Sequence, residues 1–277
     1  RIGRVAHRVI LEKYSQEIEV VAINAGSSTD AKGWSYLLKY DTVYGPLDSK
    51  FKIASSESAI IINDKQIPVF SQIDPALLPW RDLNVDVVIE STGHFTTEEK
   101  LKAHLTAGAK KVVLSAPLRQ GSEGQAPTIV ISVNDKEYKG ENLINNASCT
   151  TNCITPVAKI MVDNFGIEKA MMTTIHGYTS DQRLQDGGHK DYRRARAAAQ
   201  NIVPTSTGAT IAAGKALPKL EGIFSGLAIR VPVAVGSLSD FTFLLSKSTT
   251  KEEINEVFKK EAENPVYKGI LEVTEEP

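Results

Sequence analysis

Cys149 and Cys153 are the only thiols in the chain and lie four residues apart. Residues 142–148 read as a strand with its exit turn, and residues 150–165 carry helical spacing after their first turn. Ser148 is then placed to cap that helix, with Cys149 in its first turn. Unpaired backbone N–H groups and the positive end of the helix dipole favour a thiolate there. The same N–H groups can hold an oxyanion formed on attack at a carbonyl. The alternative is a small buried hydrophobe, the usual fate of a free cysteine. Cys153, one turn further in, is read as packing. Of the five histidines, His176 ends the apolar run 169–175 and precedes Gly177, so it presents an imidazole at a strand end. It reads either as a base for the thiol or as a hydrogen-bonded structural residue. Two thiols without further cysteines or a matched histidine pair give no metal site.

Residues 179–196 concentrate Arg183, Lys190, Arg193, Arg194 and Arg196. Such a run is either a solvated basic face or an anion pocket, because arginine forks match phosphate geometry. Pro204-Thr205-Ser206-Thr207-Gly208 adds hydroxyls and an adaptable backbone beside it. Thiol, imidazole and anion clusters together suggest a thiol enzyme acting on a phosphorylated carbonyl compound.

The elements that must position these groups change character along the chain. Residues 2–14 have helical spacing, and residues 18–24, 84–93, 110–115 and 128–133 read as strands, with a helix from about Thr97. Strands separated by helices imply an α/β fold with a doubly wound, Rossmann-type parallel sheet, which binds ligands at the carboxyl ends of its strands. Residues 169–175 and 227–245 are longer strand-rich runs, and Thr250-Lys251-Glu252-Glu253 is a capping box opening a late helix to about Asn264. This half reads as an α+β catalytic domain with a mainly antiparallel sheet. The division expected is 1–148 for the doubly wound domain and 149–277 for the α+β domain. With 32 Lys plus Arg against 33 Asp plus Glu, the charge balance argues against a dedicated nucleic-acid or membrane partner. The scarcity of cysteine favours a reducing cytoplasm over secretion.

Long stretches are specific enough to carry a resemblance. Asn-Ala-Ser-Cys-Thr-Thr-Asn-Cys-Ile-Thr-Pro at 146–156, Thr-Thr-Ile-His-Gly-Tyr-Thr-Ser-Asp-Gln-Arg at 173–183 and residues 189–209 and 229–233 resemble the phosphorylating glyceraldehyde-3-phosphate dehydrogenases. The likeness extends through residues 37–45, 91–95 and 107–117. It implies oxidation of glyceraldehyde 3-phosphate to 1,3-bisphosphoglycerate through a cysteine thioester, with hydride transfer to NAD or NADP. By resemblance Cys149 is the nucleophile and His176 the general base. Thr179 and Arg230 hold the substrate phosphate, with Asp181 orienting Arg230. Ser148, Thr150, Thr207, Gly208 and Arg194 hold the attacking inorganic phosphate. Arg1 and Ile2 fall at the end of the family's glycine-rich fingerprint, and Thr92, Gly93 and Ser115 line the cofactor side. The family also implies a homotetramer, and against its pattern the chain reads as truncated at both ends.

Two departures bear on the cofactor. Where NAD-dependent members carry an Asp for the adenosine ribose, this chain has Ala25, followed by Gly26-Ser27-Ser28. Losing that carboxylate removes a repulsion against a 2′-phosphate, and the serine hydroxyls can donate to one. Gly187-Gly188 replaces the family's Leu-Pro before His189, a stretch where NADP-using relatives carry small residues. Ile73 stands where the family has a basic residue, which removes a cation for the same phosphate. The balance favours NADP or dual use.

Overall fold

The computed structural model describes residues 1–119 and 126–276. The chain folds as two compact units, Arg1–Ala126 with Gly140–Asn145, and Pro127–Lys139 with Asn146–Pro277. The segment Pro127–Lys139 thus groups with the second unit, although it lies inside the 1–148 range expected for the first.

In the first unit α1 (Ile2–Lys13) leads to β1 (Ile23–Asn24) and α2 (Ala31–Lys39), whose cap is the Asp30 carboxylate accepting from Gly33 N–H. Short strands follow: β2 (Tyr40–Asp41), β3 (Gly45–Pro46), β4 (Ile53–Ser55), β5 (Ala59–Ile62) and β6 (Lys65–Phe70). Asn63 and Asp64 both take positive φ, 46° and 69°, forming the two-residue turn that matches strand twist and fixes Ile62 opposite Lys65. The four-stranded sheet runs β1-β6-β5-β4, parallel only at β1–β6. Leu38 and Ile60, both fully buried, form its core with Ile62 and Ile67.

A second sheet of this unit is wholly parallel. It comprises β7 (Val87–Glu90), β8 (Lys111–Leu114) and β9 (Leu143–Asn145), with α3 (Glu98–Thr106) as the crossover between the first two. Thr97 caps α3 through Lys100 N–H, and Leu101 packs onto Val112, Leu114 and Leu143. The α/β class therefore stands, but the strands of this unit fall in two sheets, and the antiparallel meander of residues 53–70 pairs with β1 rather than with the wholly parallel sheet. Residues 18–22, expected as strand, lie outside any ladder and border a cavity of about 200 Å³.

In the second unit α4 (Cys149–Phe165) is followed by β10 (Ile167–Gly177), β11 (Val203–Thr205), α5 (Ala209–Ala216), β12 (Phe224–Val231), β13 (Ser237–Leu245) and α6 (Lys251–Glu263). The sheet order is β11-β12-β10-β13, parallel at β10–β12 and antiparallel at its other two pairings. Alternation along β10 sends Ala170 and Met172 into a core with Ile154, Ala158, Ala213 and Leu220, and leaves Met171 on the opposite, exposed face. The run expected at 227–245 divides into two strands around Pro232 and Gly236, the latter at φ 89°. Thr250 and Glu253 form the reciprocal capping box of α6. Residues 128–133 are not a strand. The Asn134 side chain accepts from Val130 N–H and donates to Thr128 O, while Asp135 accepts from Ser132 N–H at φ 71°. Side chains thus satisfy the backbone groups that a ladder would have used.

Candidate active site

The turn from β9 into α4 is built by residues 145–152. Ala147 adopts left-handed backbone, φ 54°, and is held there by burial. The Asn152 amide donates to both Asn146 O and Ser148 O, bracketing the turn at 2.7 and 2.9 Å. Ser148 Oγ accepts from Thr151 N–H at 3.1 Å, so the helix begins with Cys149 exposed at its first position. Thr150 is buried directly behind it.

His176 reaches the same place from the end of β10. Its Nε2 lies 3.3 Å from Cys149 Sγ. Gly177 is needed next in the chain, because a Cβ there would come within 2.7 Å of Val233 O. The imidazole holds the Cys149 pKa below its ordinary value against an opposing push from desolvation, with help from Thr150. The thiol in turn raises His176. This is the signature of a thiolate–imidazolium couple at a helix start. Cys153, read from sequence as packing, is instead exposed; desolvation of its sulfur nonetheless pushes its pKa up. The two thiols are therefore shifted in opposite directions despite their spacing.

Arg230 sits opposite His176 in the β10–β12 register. Its Nη1 lies 2.5 Å from His176 Nδ1 and 3.2 Å from Gly177 O, while Nδ1 lies 2.7 Å from that same carbonyl. A guanidinium only donates, so Nδ1 accepts from Arg230 when unprotonated and donates to Gly177 O when protonated. Burial lowers the Arg230 pKa, and the neighbouring Arg194 lowers it further. Two guanidinium groups that repel each other in this way favour an anion between them.

Asp181, expected by resemblance to orient Arg230, acts on it through its charge, which opposes the lowering of the Arg230 pKa by burial. It accepts from Arg194 Nη1 at 2.6 Å, because Arg194 is anchored nearby through Nε and Nη2 on Thr205 Oγ1 at 2.9 and 2.6 Å. Thr179 N–H donates to Gln182 Oε1, Thr207 Oγ1 accepts from Ala209 N–H, and Gly208 stands at the N-cap of α5. An open pocket of about 590 Å³ is lined by Asp181, Arg183, His189, Lys190, Asp191, Arg194 and the two serines Ser180 and Ser206. Much of the basic run is paired within its own loop: Arg193 with Asp191 and Arg196 with Asp186.

In the first unit the residues expected to meet a dinucleotide lie at the N-terminus of α1 and at the carboxyl ends of β1, β7 and β8. Among the described residues α1 has no side-chain cap. Gly3 passes so close to the β7 exit that a Cβ would meet Ser91 Oγ at 2.6 Å, the close approach a nucleotide-binding helix needs. Arg1 turns its guanidinium away onto Asp41 in a two-point ion pair, leaving its backbone and that of exposed Ile2 at the helix start. Ala25 is buried beneath the β1 exit turn. The Ser28 hydroxyl donates to Ala25 O at 2.6 Å, so its proton is already used and only Ser27 of that pair is left as a donor. Ile73 is 76% exposed and apolar. Thr92 is fixed by Glu90, a residue that sequence reading passed over. Its partner His104, which in turn accepts from Trp80, comes from a distant segment, and no local spacing signals either. These features fit a nicotinamide dinucleotide.

No group of His, Cys, Asp or Glu among the described residues is arranged to hold a metal ion, and no helix among them is long and apolar enough to cross a membrane. The family model described as glyceraldehyde 3-phosphate dehydrogenase, NAD binding domain, matches residues 1–98, and that for the C-terminal domain matches residues 148–277. Glyceraldehyde-3-phosphate dehydrogenase of Mycolicibacterium smegmatis is 50% identical over all of this chain and 81% of its own length. Glyceraldehyde-3-phosphate dehydrogenase 1 of Bacillus cereus is 48% identical over all of this chain and 80% of its own. The Mycobacterium tuberculosis H37Rv enzyme is 49% identical, with coverage of 100% and 81%. The thiol–imidazole couple and the dinucleotide-suited strand ends thus sit in a chain that belongs to the glyceraldehyde-3-phosphate dehydrogenase family, as an NAD-dependent oxidoreductase.

Proposed function

We propose that the chain catalyses the phosphorylating oxidation of glyceraldehyde 3-phosphate to 1,3-bisphosphoglycerate, and that the Cys149–His176 couple carries the chemistry. The observation that supports this most is the 3.3 Å approach of Sγ to Nε2 at the first position of α4. The Cys149 thiolate attacks the aldehyde carbon, and the His176 imidazolium gives its Nε2 proton to the carbonyl oxygen, yielding a hemithioacetal. The neutral imidazole then takes that O–H proton back as hydride leaves the same carbon, and the product on sulfur is a thioester. A nicotinamide held at the strand ends of the first unit would supply the hydride acceptor. Inorganic phosphate attacks the thioester carbonyl and expels the thiolate, regenerating the couple. The α4 first-turn N–H groups hold the oxyanions of both additions.

Arg230 and Thr179 receive the C3 phosphate in this reading. That charge also offsets the repulsion between Arg230 and the imidazolium, which prepares His176 for its first step. Arg194, Thr207, Gly208, Ser148 and Thr150 receive the attacking phosphate, with Asp181 and Thr205 setting the Arg194 fork. Initial rates of nicotinamide reduction test the scheme: turnover must require inorganic phosphate and must vanish in Cys149→Ser. Sustained turnover without phosphate or an equivalent oxyanion refutes it.

NADP or dual use is favoured over NAD alone, supported by Ala25 and by the Gly187-Gly188 pair. A kcat/KM for NAD tenfold above that for NADP would overturn this preference. A homotetramer is supported by the bare face of the β10–β12–β13 sheet, where Met171, Leu227 and Leu238 are 62%, 45% and 63% exposed. A catalytic thiolate with a second exposed thiol beside it needs a reducing compartment, which supports the cytoplasm.

A further inference from the structure

Glu90 ends β7 and is 3% exposed. Its Oε1 accepts from Thr92 N–H at 2.7 Å and from the Thr92 hydroxyl at 2.5 Å, and its backbone carbonyl accepts from Ser115 N–H at 2.9 Å. Its Oε2 lies 3.1 Å from His104 Nε2, and His104 Nδ1 lies 3.1 Å from Trp80 Nε1. Because an indole N–H only donates, Nδ1 is the acceptor and Nε2 carries the proton that goes to Glu90. The Trp80 ring lies within 21° of parallel to the imidazole with centroids 6.4 Å apart, and Phe95 meets the imidazole edge-on at 6.3 Å. Every donor in the chain from Trp80 to Thr92 therefore has one direction, and all of it converges on one buried carboxylate. Burial pushes the Glu90 pKa up, but the bonds from His104 and Thr92 outweigh it and hold the value below the ordinary one.

We propose that Glu90 is a positioning residue for the dinucleotide: through one side chain and one carbonyl it fixes both the Thr92–Gly93 turn and Ser115, and the Trp80–His104 pair fixes Glu90. This rests on the reading that Thr92, Gly93 and Ser115 face the cofactor. The donor directions give a test that simple loss of packing does not mimic. In Glu90→Gln the amide must point its NH2 at His104 Nε2–H or at Thr92 N–H, two donors facing each other. Moving the imidazole proton to Nδ1 relieves the first clash only if Trp80 no longer donates there, so Trp80→Phe should rescue Glu90→Gln.

The experiment measures the dissociation constant of NADH by fluorescence, steady-state constants, thermal melting and Cys149 alkylation for Glu90→Gln, Trp80→Phe, the double variant and Ser115→Leu. Glu90→Gln should weaken NADH binding and raise the cofactor KM by about tenfold, with a smaller change in kcat and an unchanged alkylation rate. The double variant should return to within about threefold of the parent. Glu90→Asp replaces Glu90→Gln if the latter does not fold, because it keeps the charge but cannot span both His104 and Thr92; weakened binding is again expected. NADH binding within twofold of the parent in the Glu90 variant, or a double variant no better than Glu90→Gln, overturns the proposal. If Ser115→Leu also leaves NADH binding unchanged, the cofactor-side reading beneath it fails instead.

Discussion

Replacing His176 by Asn removes the imidazole from Cys149 while leaving a side chain of similar polarity. The attraction between a thiolate and an imidazolium at about 3.3 Å is about 1 kcal/mol in water and about 5 kcal/mol at an effective dielectric of 20. Cys149 is exposed and His176 is partly so, which places the effect near the lower bound, at about 1.4 kcal/mol or one pKa unit. The thiolate population at neutral pH should then fall about tenfold, and the rate of alkylation by iodoacetamide with it. The assay follows the Cys149 and Cys153 peptides by mass spectrometry from pH 6 to pH 10. In the parent, Cys149 is labelled faster at neutral pH because its pKa is lowered, whereas Cys153, with its pKa raised, catches up only as pH climbs. In His176→Asn the difference should narrow at neutral pH and disappear in strong alkali. An unchanged Cys149 rate at neutral pH would mean that the helix terminus alone ionises the sulfur, and the couple would have to be abandoned.

Other consequences are separable. Ser148→Ala deletes the cap on Thr151 N–H and should lower the unfolding free energy in urea by about 1 kcal/mol. Leu238→Glu places a charge on the bare sheet face and should shift the mass measured by light scattering toward the monomer; an unchanged mass removes that face from assembly. Ala25→Asp restores a carboxylate at the β1 exit and should raise the kcat/KM ratio of NAD to NADP by tenfold or more, about 1.4 kcal/mol. Burial pulls the His7 pKa down to about 4 from its ordinary 6.5. The folded state therefore resists a proton that the unfolded chain accepts, so the stability from a neutral His7 is present above pH 6.5 and lost as pH falls toward 4. The loss is about 3 kcal/mol, and His7→Phe should abolish it.

The parts of the molecule that were legible in the sequence are those whose determinants are local. Ser148 before Cys149, the Thr250–Glu253 box and Thr97 before α3 each announce a helix start through a side chain bonding its own backbone neighbours. His176 could be placed at a strand end because residues 169–175 are apolar and Gly177 follows. The β5–β6 hairpin was missed although Asn63-Asp64 between two apolar runs carries its signal. α2 was missed for a better reason: Gly33 and Trp34 are poor helix formers, and packing of Leu38 onto Ile60 and Ile67 decides the issue. Residues 128–133 have strand composition, but Asn134 and Asp135 divert the backbone hydrogen bonds. Arg194 choosing Asp181, Glu90 meeting His104, and His104 accepting from Trp80 are contacts between residues 13, 14 and 24 apart. Such partners are set by topology and leave no spacing to read.

The central claim is that the oxidised substrate is held on Cys149 Sγ as a thioester before phosphate arrives. Mixing the protein with glyceraldehyde 3-phosphate and nicotinamide cofactor in phosphate-free buffer, quenching in acid and mapping peptides by mass spectrometry tests it directly. The account predicts a phosphoglyceroyl adduct on the Cys149 peptide alone, formed in step with cofactor reduction and discharged on adding phosphate. Cofactor reduction with no adduct on Cys149, or an adduct that phosphate does not discharge, would contradict it.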